Sequence, residues 1–453
     1  MRSQLSSHGL SLRRGGVTPL TVLSLALLLG VVAVAVDGGS LMEQRRHVQA
    51  TADAAALAAA ADLFANYVAN QGADPSGTAA SSALASAAAN GFSNDGVQSI
   101  VTVSVSPQKY QSGPSVGQPL PAGYVEVIVQ SNAGRTFSNI FGSGAIPVRA
   151  RAVARGQWIS INDDVIALNL RTSSAVSITG SGGLNLQGSL RINSSSSSAL
   201  SLSGGGGVTA SQYNLNSAGG GIAGWLVSIL NGLGGSPPSI SYGPPVADPL
   251  RYLADPDPVA LGLPLRGTYT RVNAGTVKDL YPGVYNGGIT VSSAGTAILH
   301  ANSDGTPGIY YLQGGGFTVG GPSNVKMATG ETAGIMLYNS WSRSVDAINL
   351  SGSGTLNITP PSTGIYKGIS IFQKRGTAST AGPIVNVSGQ SSANVTGTIY
   401  AAHAMVSLST TGAANVLGGQ VIADTLSLTG SAAVNINRGT QPVANTRTLG
   451  LVE

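Results

Sequence analysis

Apolar and polar positions fall into three regimes along the chain. From Val17 to Val36 no residue is charged, the run VTPLTVLSLALLLGVVAVAV lying between Arg13-Arg14 and Asp37. A helix over this run is about 30 Å long, the apolar thickness of a bilayer, and Pro19 sits in its first turn, where a missing N–H costs little. The pattern then shifts to small apolar residues at helical spacing, with Leu41, Val48, Ala52, Ala56, Ala59, Leu63 and Tyr67 on one face. A face made mostly of Ala lets another helix approach closely, or lets this helix pack on its own small domain. His47 falls on the polar side, as a solvated residue. After the Ala-rich stretch ending near Asn90, the runs Val97–Val105, Tyr124–Val129 and Ile146–Ala154 alternate as strands between Gly, Pro and Ser segments. The region 37–158 therefore reads as one long helix followed by an antiparallel meander.

From residue 159 the alternation shortens and repeats. Ser177-Ile178-Thr179-Gly180, Asn185-Leu186-Gln187-Gly188, Ser201-Leu202-Ser203-Gly204, Asn349-Leu350-Ser351-Gly352, Asn386-Val387-Ser388-Gly389 and Ser427-Leu428-Thr429-Gly430 end alike, and Ser407-Leu408-Ser409-Thr410 is a looser member. From Gly389 to Thr410 is 21 residues and from Thr410 to Gly430 is 20. Short strands ending alike at such intervals predict a stacked solenoid, a parallel β-helix over 159–453, with a β-sandwich as the alternative. Tyr285, Tyr310, Tyr366 and Tyr400 each follow an aliphatic residue just after a turn, which predicts the aliphatic inward and the Tyr on the opposite side. Residues 236–264, with eight Pro and with Asp248, Asp255 and Asp257, read as a rigid irregular crossing whose spacing does not match an EF-hand calcium loop. Just before it, Trp225, Leu226, Ile229, Leu230 and Leu233 share a helical face suited to covering a solenoid edge.

Composition narrows the class. Only 9% of the 453 residues are charged, Gly accounts for 63, and there is no Cys, so a mostly helical cytosolic enzyme, a disulfide framework and a thiolate metal site are all excluded. Of the net charge of +5, residues 1–50 hold +3, from Arg2, Arg13, Arg14, Arg45 and Arg46 against Asp37 and Glu43. The basic excess is therefore an N-terminal orienting signal rather than a nucleic-acid footprint. It favours a cytoplasmic N-terminus and places the rest of the chain outside the cytoplasm. Cleavage near Ala33-Val34-Ala35 is the alternative to a retained anchor.

Motifs with catalytic precedents lack their context. Gly113-Pro114-Ser115-Val116-Gly117 matches G-x-S-x-G but sits in a loop between strands without a following helix. Gly219–Gly224 matches G-x-G-x-x-G with no βαβ unit around it. The acids Asp304, Glu331, Asp346 and Asp424 share no spacing, and Lys367, Lys374 and Arg375 have no acidic neighbour in sequence. His8, His47, His300 and His403 form no ligand pair. These observations predict no catalytic, cofactor or metal residue. Arg149 and Arg151 alternate along one strand, with Arg155 just beyond, as a solvated face or a patch for an anionic partner.

The order of a basic pair, Gly, an apolar span ending in Val36-Asp37-Gly38-Gly39, a small basic cluster and the run Val48–Ala60 resembles the N-terminal region of Flp pilus-assembly TadE/TadG-like proteins. The resemblance covers about residues 13–65 and, more loosely, continues to Arg155; it implies a pilin-like α+β region after the anchor. Processed pilin relatives carry Glu at the fifth position after a cleavage Gly. Here that position is Leu20 or Thr21, which implies a retained anchor. The C-terminal part resembles that of some TadG-like proteins, and Asp164–Ser174 lacks the D-x-S-x-S metal motif that others carry. Together these imply a mainly β protein with a cytoplasmic tail at 1–16 and a single transmembrane helix at 17–36 of the bacterial inner membrane. The expected role is a non-catalytic, exported component of Flp pilus assembly. Its partners are the membrane, pilus-assembly proteins or pilin helices, and no nucleic acid. The alternatives are a surface adhesin or glycan-binding rod and a polysaccharide-degrading β-helix enzyme.

Overall fold

The apolar span and the Ala face form one continuous helix, α1 (Val17–Ala65), followed by the short α2 (Tyr67–Asn70) and by α3 (Thr78–Ala89). The computed structural model describes residues 17–135, 137, 139, 143–216, 239–377, 381–389, 392–410, 415–417, 419–436 and 442–452. They group into two units, one from Met1–Trp158 with Thr448–Glu453, the other from Ile159–Arg447. The C-terminal residues therefore return to the first unit, which the sequence pattern does not reveal. The helix proposed around Trp225–Leu233, the Gly219–Gly224 motif and the tail at 1–16 lie outside the described residues.

In the first unit α1 is long and apolar enough to cross a membrane, with a mean hydropathy of 2.5 over its most apolar window. Leu20, Leu23, Leu27 and Val34 are exposed, so none of the described residues covers this part of the helix. Beyond it, Val48, Ala52, Ala56, Ala59 and Leu63 are buried together with Ala79, Ala83 and Ala87 of α3. They meet a sheet of β1 (Ser99–Val105), β2 (Tyr124–Ala133), β3 (Ile146–Ser160) and the C-terminal strand Asn445–Leu451, in that order. β1 pairs antiparallel with β2 and β2 with β3, through Val101↔Val129 and Val129↔Ala150. The Ala face is thus occupied by the unit's own sheet and α3. Its small side chains set the distance: a Cβ on Gly156 of β3 would lie 1.8 Å from the Ala60 carbonyl oxygen of α1.

The second unit consists of parallel sheets, every described strand pair in it being parallel. Three ladders run through it. The second ladder gathers six of the seven repeated motifs in direct register, Ser201↔Ser177↔Ser427↔Ser407↔Asn386↔Asn349, and continues through Thr318 to Thr290. The seventh, at Asn185, lies in the third ladder beside Asn435. Between the polar columns the central residues Ile178, Leu428, Leu408, Val387 and Leu350 point into the core. In the third ladder the step from one strand to the next varies from 19 residues (Val277 to Thr296) to 37 (Thr355 to Ser392), the difference being taken up in loops, except at Val434↔Leu184, where strands 250 residues apart meet. An antiparallel immunoglobulin-type sandwich does not have this pairing.

The order of strands in the first ladder departs from the order in sequence. It begins at Ser239–Gly243 and passes through Gln212–Asn216, Ser189–Ile192 and Asp163–Ala167. There it meets Gly419–Gly430, then runs back through Gly397–Thr410 and earlier strands to Gly283–Val291 and Leu265–Val272. The chain enters the stack in the middle and builds outward to one end. It then crosses to the far end and returns until Val421, Ile422 and Ala423 pair with Val165, Ile166 and Ala167.

Of the crossing expected at 236–264, Ser239–Gly243 form a strand that pairs with Gln212–Asn216, and the irregular part, residues 244–264, lies over the outward side of this ladder. Leu250 and Leu253 cover Met336, Tyr338, Ile369, Phe372, Tyr400 and Ile422, which form a second apolar layer. Tyrosine placement corrects the turn-plus-strand expectation. Tyr285 and Tyr310 point into the main core while Val284 and Ile309 face outward; Tyr400 lies opposite the inward Ile399 but is buried beneath the crossing. The physical reason is that their hydroxyls find backbone acceptors, Tyr281 for Tyr285 (2.7 Å) and Leu280 for Tyr310 (2.6 Å), which makes burial of the rings favourable.

Candidate functional site

The residues with chemical potential fall in three places. In the first unit, Gly113–Gly117 lies in turns between β1 and β2, and Ser115 has no helix behind it. Arg151 is not part of a free basic face. Its Nε donates to Glu126 Oε1 at 2.6 Å, and the buried carboxylate also accepts from the backbone N–H groups of Gln111 and Ser112. Arg149, two residues earlier, remains exposed. His47 is exposed and tilts against Phe92 with ring centroids 5.1 Å apart.

In the second unit the sequence-distant acids are tied up separately. Asp304 accepts from Thr306, Glu331 from the N–H groups of Ala301 and Ala333, and Asp424 from Asn169 at 3.1 Å. Burial disfavours ionisation of Asp346, but the N–H groups of Gly315, Ser342 and Arg343 and the Arg343 guanidinium outweigh it. They hold its carboxyl well below the usual carboxylate range. His300 pairs with Asp279 at 2.8 Å and stacks on Tyr281 with centroids 4.7 Å apart. Among the described residues no cluster of His and acidic side chains is arranged to hold a metal ion.

Arg375 is where sequence reasoning falls short. Without an acidic neighbour in sequence, it receives four partners from the crossing. It donates to Leu250 O (2.6 Å), Leu253 O (2.9 Å) and Asp255 (3.1 Å), and lies 3.7 Å from Asp248. It also donates to the Tyr400 hydroxyl at 2.6 Å, which in turn donates to Asp248 at 2.5 Å. Asp257 accepts instead from the N–H groups of Val259 and Ala260, so the three crossing acids are held by different partners. The Pro-rich composition pointed to a rigid segment; which cation clamps it depended on contacts more than 100 residues apart in sequence.

Beside the start of the crossing is a cavity of about 820 Å³ lined by Asn169, Arg171, Asp248, His403 and Asp424 over an apolar floor. His403 Nδ1 is buried there with no hydrogen-bond partner among the described residues. Asp424 is spent on Asn169, and Asp248 on Tyr400 and Arg375. The arrangement offers hydrogen bonds to a polar ligand but no pair of free carboxylates for general acid and base chemistry.

The outward polar columns are the third place. Asn386 Nδ2 donates to Asn349 Oδ1 at 2.9 Å and Asn185 Nδ2 to Asn435 Oδ1 at 2.9 Å, while Ser203 bonds Thr179 at 3.3 Å. Such ladders satisfy side-chain amides and hydroxyls along the stack and leave an uncharged hydrophilic surface.

Residues 15–62 match the Tad family, Flp pilus-assembly TadE/G-like. No curated protein and no solved structure matches the chain. The match covers the apolar span and the Ala face of α1. A domain of this family with an N-terminal apolar helix fits a pilus-assembly-associated membrane protein.

Proposed function

We propose that the protein is a membrane-anchored, exported structural component of an Flp-type pilus-assembly system, in which α1 holds the chain in the inner membrane with its N-terminus cytoplasmic. In this reading the second unit is a parallel β-helix, a stiff polar rod carried outside the cytoplasm, and it does no catalysis. The carrying observation is the coincidence of the family match at residues 15–62 with the exposed apolar part of a helix whose next segment is buried in its own sheet. A helix built only to fill a soluble core would not leave Leu20, Leu23 and Leu27 uncovered. The parallel pairing and the regular inward aliphatics support the rod, and the separate engagement of each acid supports a non-catalytic role.

Protease accessibility tests the reading. With an antibody to the C-terminus, protease should degrade the chain in spheroplasts and leave the cytoplasmic tail protected. A C-terminus protected in spheroplasts, or a mature N-terminus at Val36, overturns the anchored topology. Co-purification with pilus-assembly components checks the association.

One observation favours a second reading, a glycan-binding rod: the aligned hydroxyls and amides of the second ladder, Ser177, Ser427, Ser407 and Asn386 among them. Tyr285, Tyr310 and Tyr400 are buried and supply no stacking platform for sugars. Retention on a glycan array would support this reading, and turnover of a polysaccharide panel would overturn both.

A further inference from the structure

The first unit has a cleft of about 440 Å³ where α1, just past its apolar span, meets the start of β3. Leu41, Met42 and Arg45 line it from the helix, and Ile146, Pro147 and Arg149 from the strand. Residues about a hundred positions apart in sequence thus place two guanidinium groups in one cleft, with no acidic side chain in its lining. Arg45 and Arg149 are exposed and have no ion pair among the described residues, in contrast to Arg151, which is committed to Glu126. Met42 is 70% exposed beside them. A cleft that combines an apolar wall with two unpaired guanidiniums suits an amphipathic anion, since Arg binds phosphate oxygens in a planar two-pronged geometry.

Position along α1 decides which anion. Arg45 follows Val36, the end of the uncharged span, by nine residues, or about 13 Å of helix. The headgroup layer on each side of a bilayer core is about 5–7 Å deep. Helical side chains lean toward the N-terminus, which for α1 is toward the span, and long basic side chains extend to the interface. Leu41 and Met42, about 7.5 and 9 Å beyond Val36, lie at the outer edge of the headgroup layer.

We propose that this cleft holds the headgroup of an anionic phospholipid from the leaflet into which α1 emerges. Arg45 and Arg149 pair with the phosphate, while Leu41, Met42 and Pro147 form the apolar wall against the headgroup's glycerol side. The inference rests on the reading that α1 crosses a membrane. Lipid held here fixes the height and rotation of the unit at the bilayer surface.

The test uses the full chain, reconstituted with phosphatidylglycerol and phosphatidylcholine in equal amounts, extracted gently and examined by native mass spectrometry for retained lipid. Phosphatidylglycerol should be retained over phosphatidylcholine. The paired substitution Arg45→Gln and Arg149→Gln should lower its occupancy about tenfold or more. Arg45→Lys with Arg149→Lys should keep the preference, and Arg46→Gln, outside the cleft, should leave it unchanged. Both arginines are exposed, and circular dichroism confirms that each variant is folded. Equal retention of the two lipids, or unchanged occupancy in the Gln pair, overturns the proposal. Displacement of lipid by soluble glycerol phosphate at equal concentration overturns the lipid source. Carbonate extraction separates the two readings. A chain released from membranes overturns the anchor, whereas an embedded chain without lipid preference overturns the cleft alone.

Discussion

Gly180 shows why the repeated motifs end as they do. Its φ is +110°, and a Cβ there would lie 2.2 Å from the carbonyl oxygen of Gly430, the corresponding residue of the neighbouring strand. Gly430 itself has φ +131° and presses in the same way on Thr410 O. At these two positions glycine is therefore required by the neighbouring strand as well as by its own turn. Gly180→Ala should cost about 2–4 kcal/mol, from backbone strain together with displacement of a neighbouring carbonyl. Thermal unfolding of the variant checks this; a melting temperature equal to that of the parent would contradict the stacking. The recurrence of the glycine was legible in sequence. Its cause was not, because the atoms it avoids lie 250 residues away.

At the scale of elements, α1 and the crossing follow the same logic of close approach and satisfied backbone. Ala in α1 was readable as a shallow face, but whether a partner helix or the unit's own sheet fills it depended on β3 bringing Gly156 against Ala60. The crossing was readable as rigid from its prolines, yet prolines do not supply attachment. Arg375 does, holding the carbonyls of Leu250 and Leu253 and lying over the rings of Phe372 and Tyr400 at 5.2 and 5.0 Å. Arg375→Met keeps the packed stem and removes the charge-assisted hydrogen bonds, so it should destabilise the crossing by about 2–3 kcal/mol. Hydrogen exchange would then accelerate at residues 250–255 while the parallel ladders keep their protection. Acceleration spread evenly through the unit would show that the crossing is not a separate layer. The candidate cavity beside it was not legible in sequence, since Asn169, Asp248, His403 and Asp424 converge only after folding.

At the scale of the whole molecule, six tyrosines buried in the second unit have the phenol pushed up by burial. Burial pushes Tyr213, Tyr285 and Tyr366 up to about 12, and Tyr310, Tyr338 and Tyr400 higher still. Below the ordinary phenol value of about 10 both folded and unfolded chains keep these groups neutral, so their contribution is fully present. As pH rises from 10 toward 12, only the unfolded chain ionises. Stability should therefore fall, at up to about 1.4 kcal/mol per pH unit for each phenol. The share of phenolate absorbance that belongs to the buried tyrosines should appear only together with the loss of circular dichroism, in one cooperative alkaline step. Gradual titration of all tyrosines near pH 10 with the fold intact would contradict this burial. By itself the sequence determined the apolar span, the helix-then-strand order of the first unit, the β character of the second and its inward aliphatics, because each is a local periodicity. Only the tertiary structure decided that the stack is entered from its middle, that its first and last strands close against each other at Val165 and Val421, and that the C-terminus returns to the first sheet. Parallel edges expose the same row of backbone donors and acceptors whatever their place in the chain. Side-chain periodicity specifies which face is buried, and only packing of the complete chain specifies which edge is the neighbour.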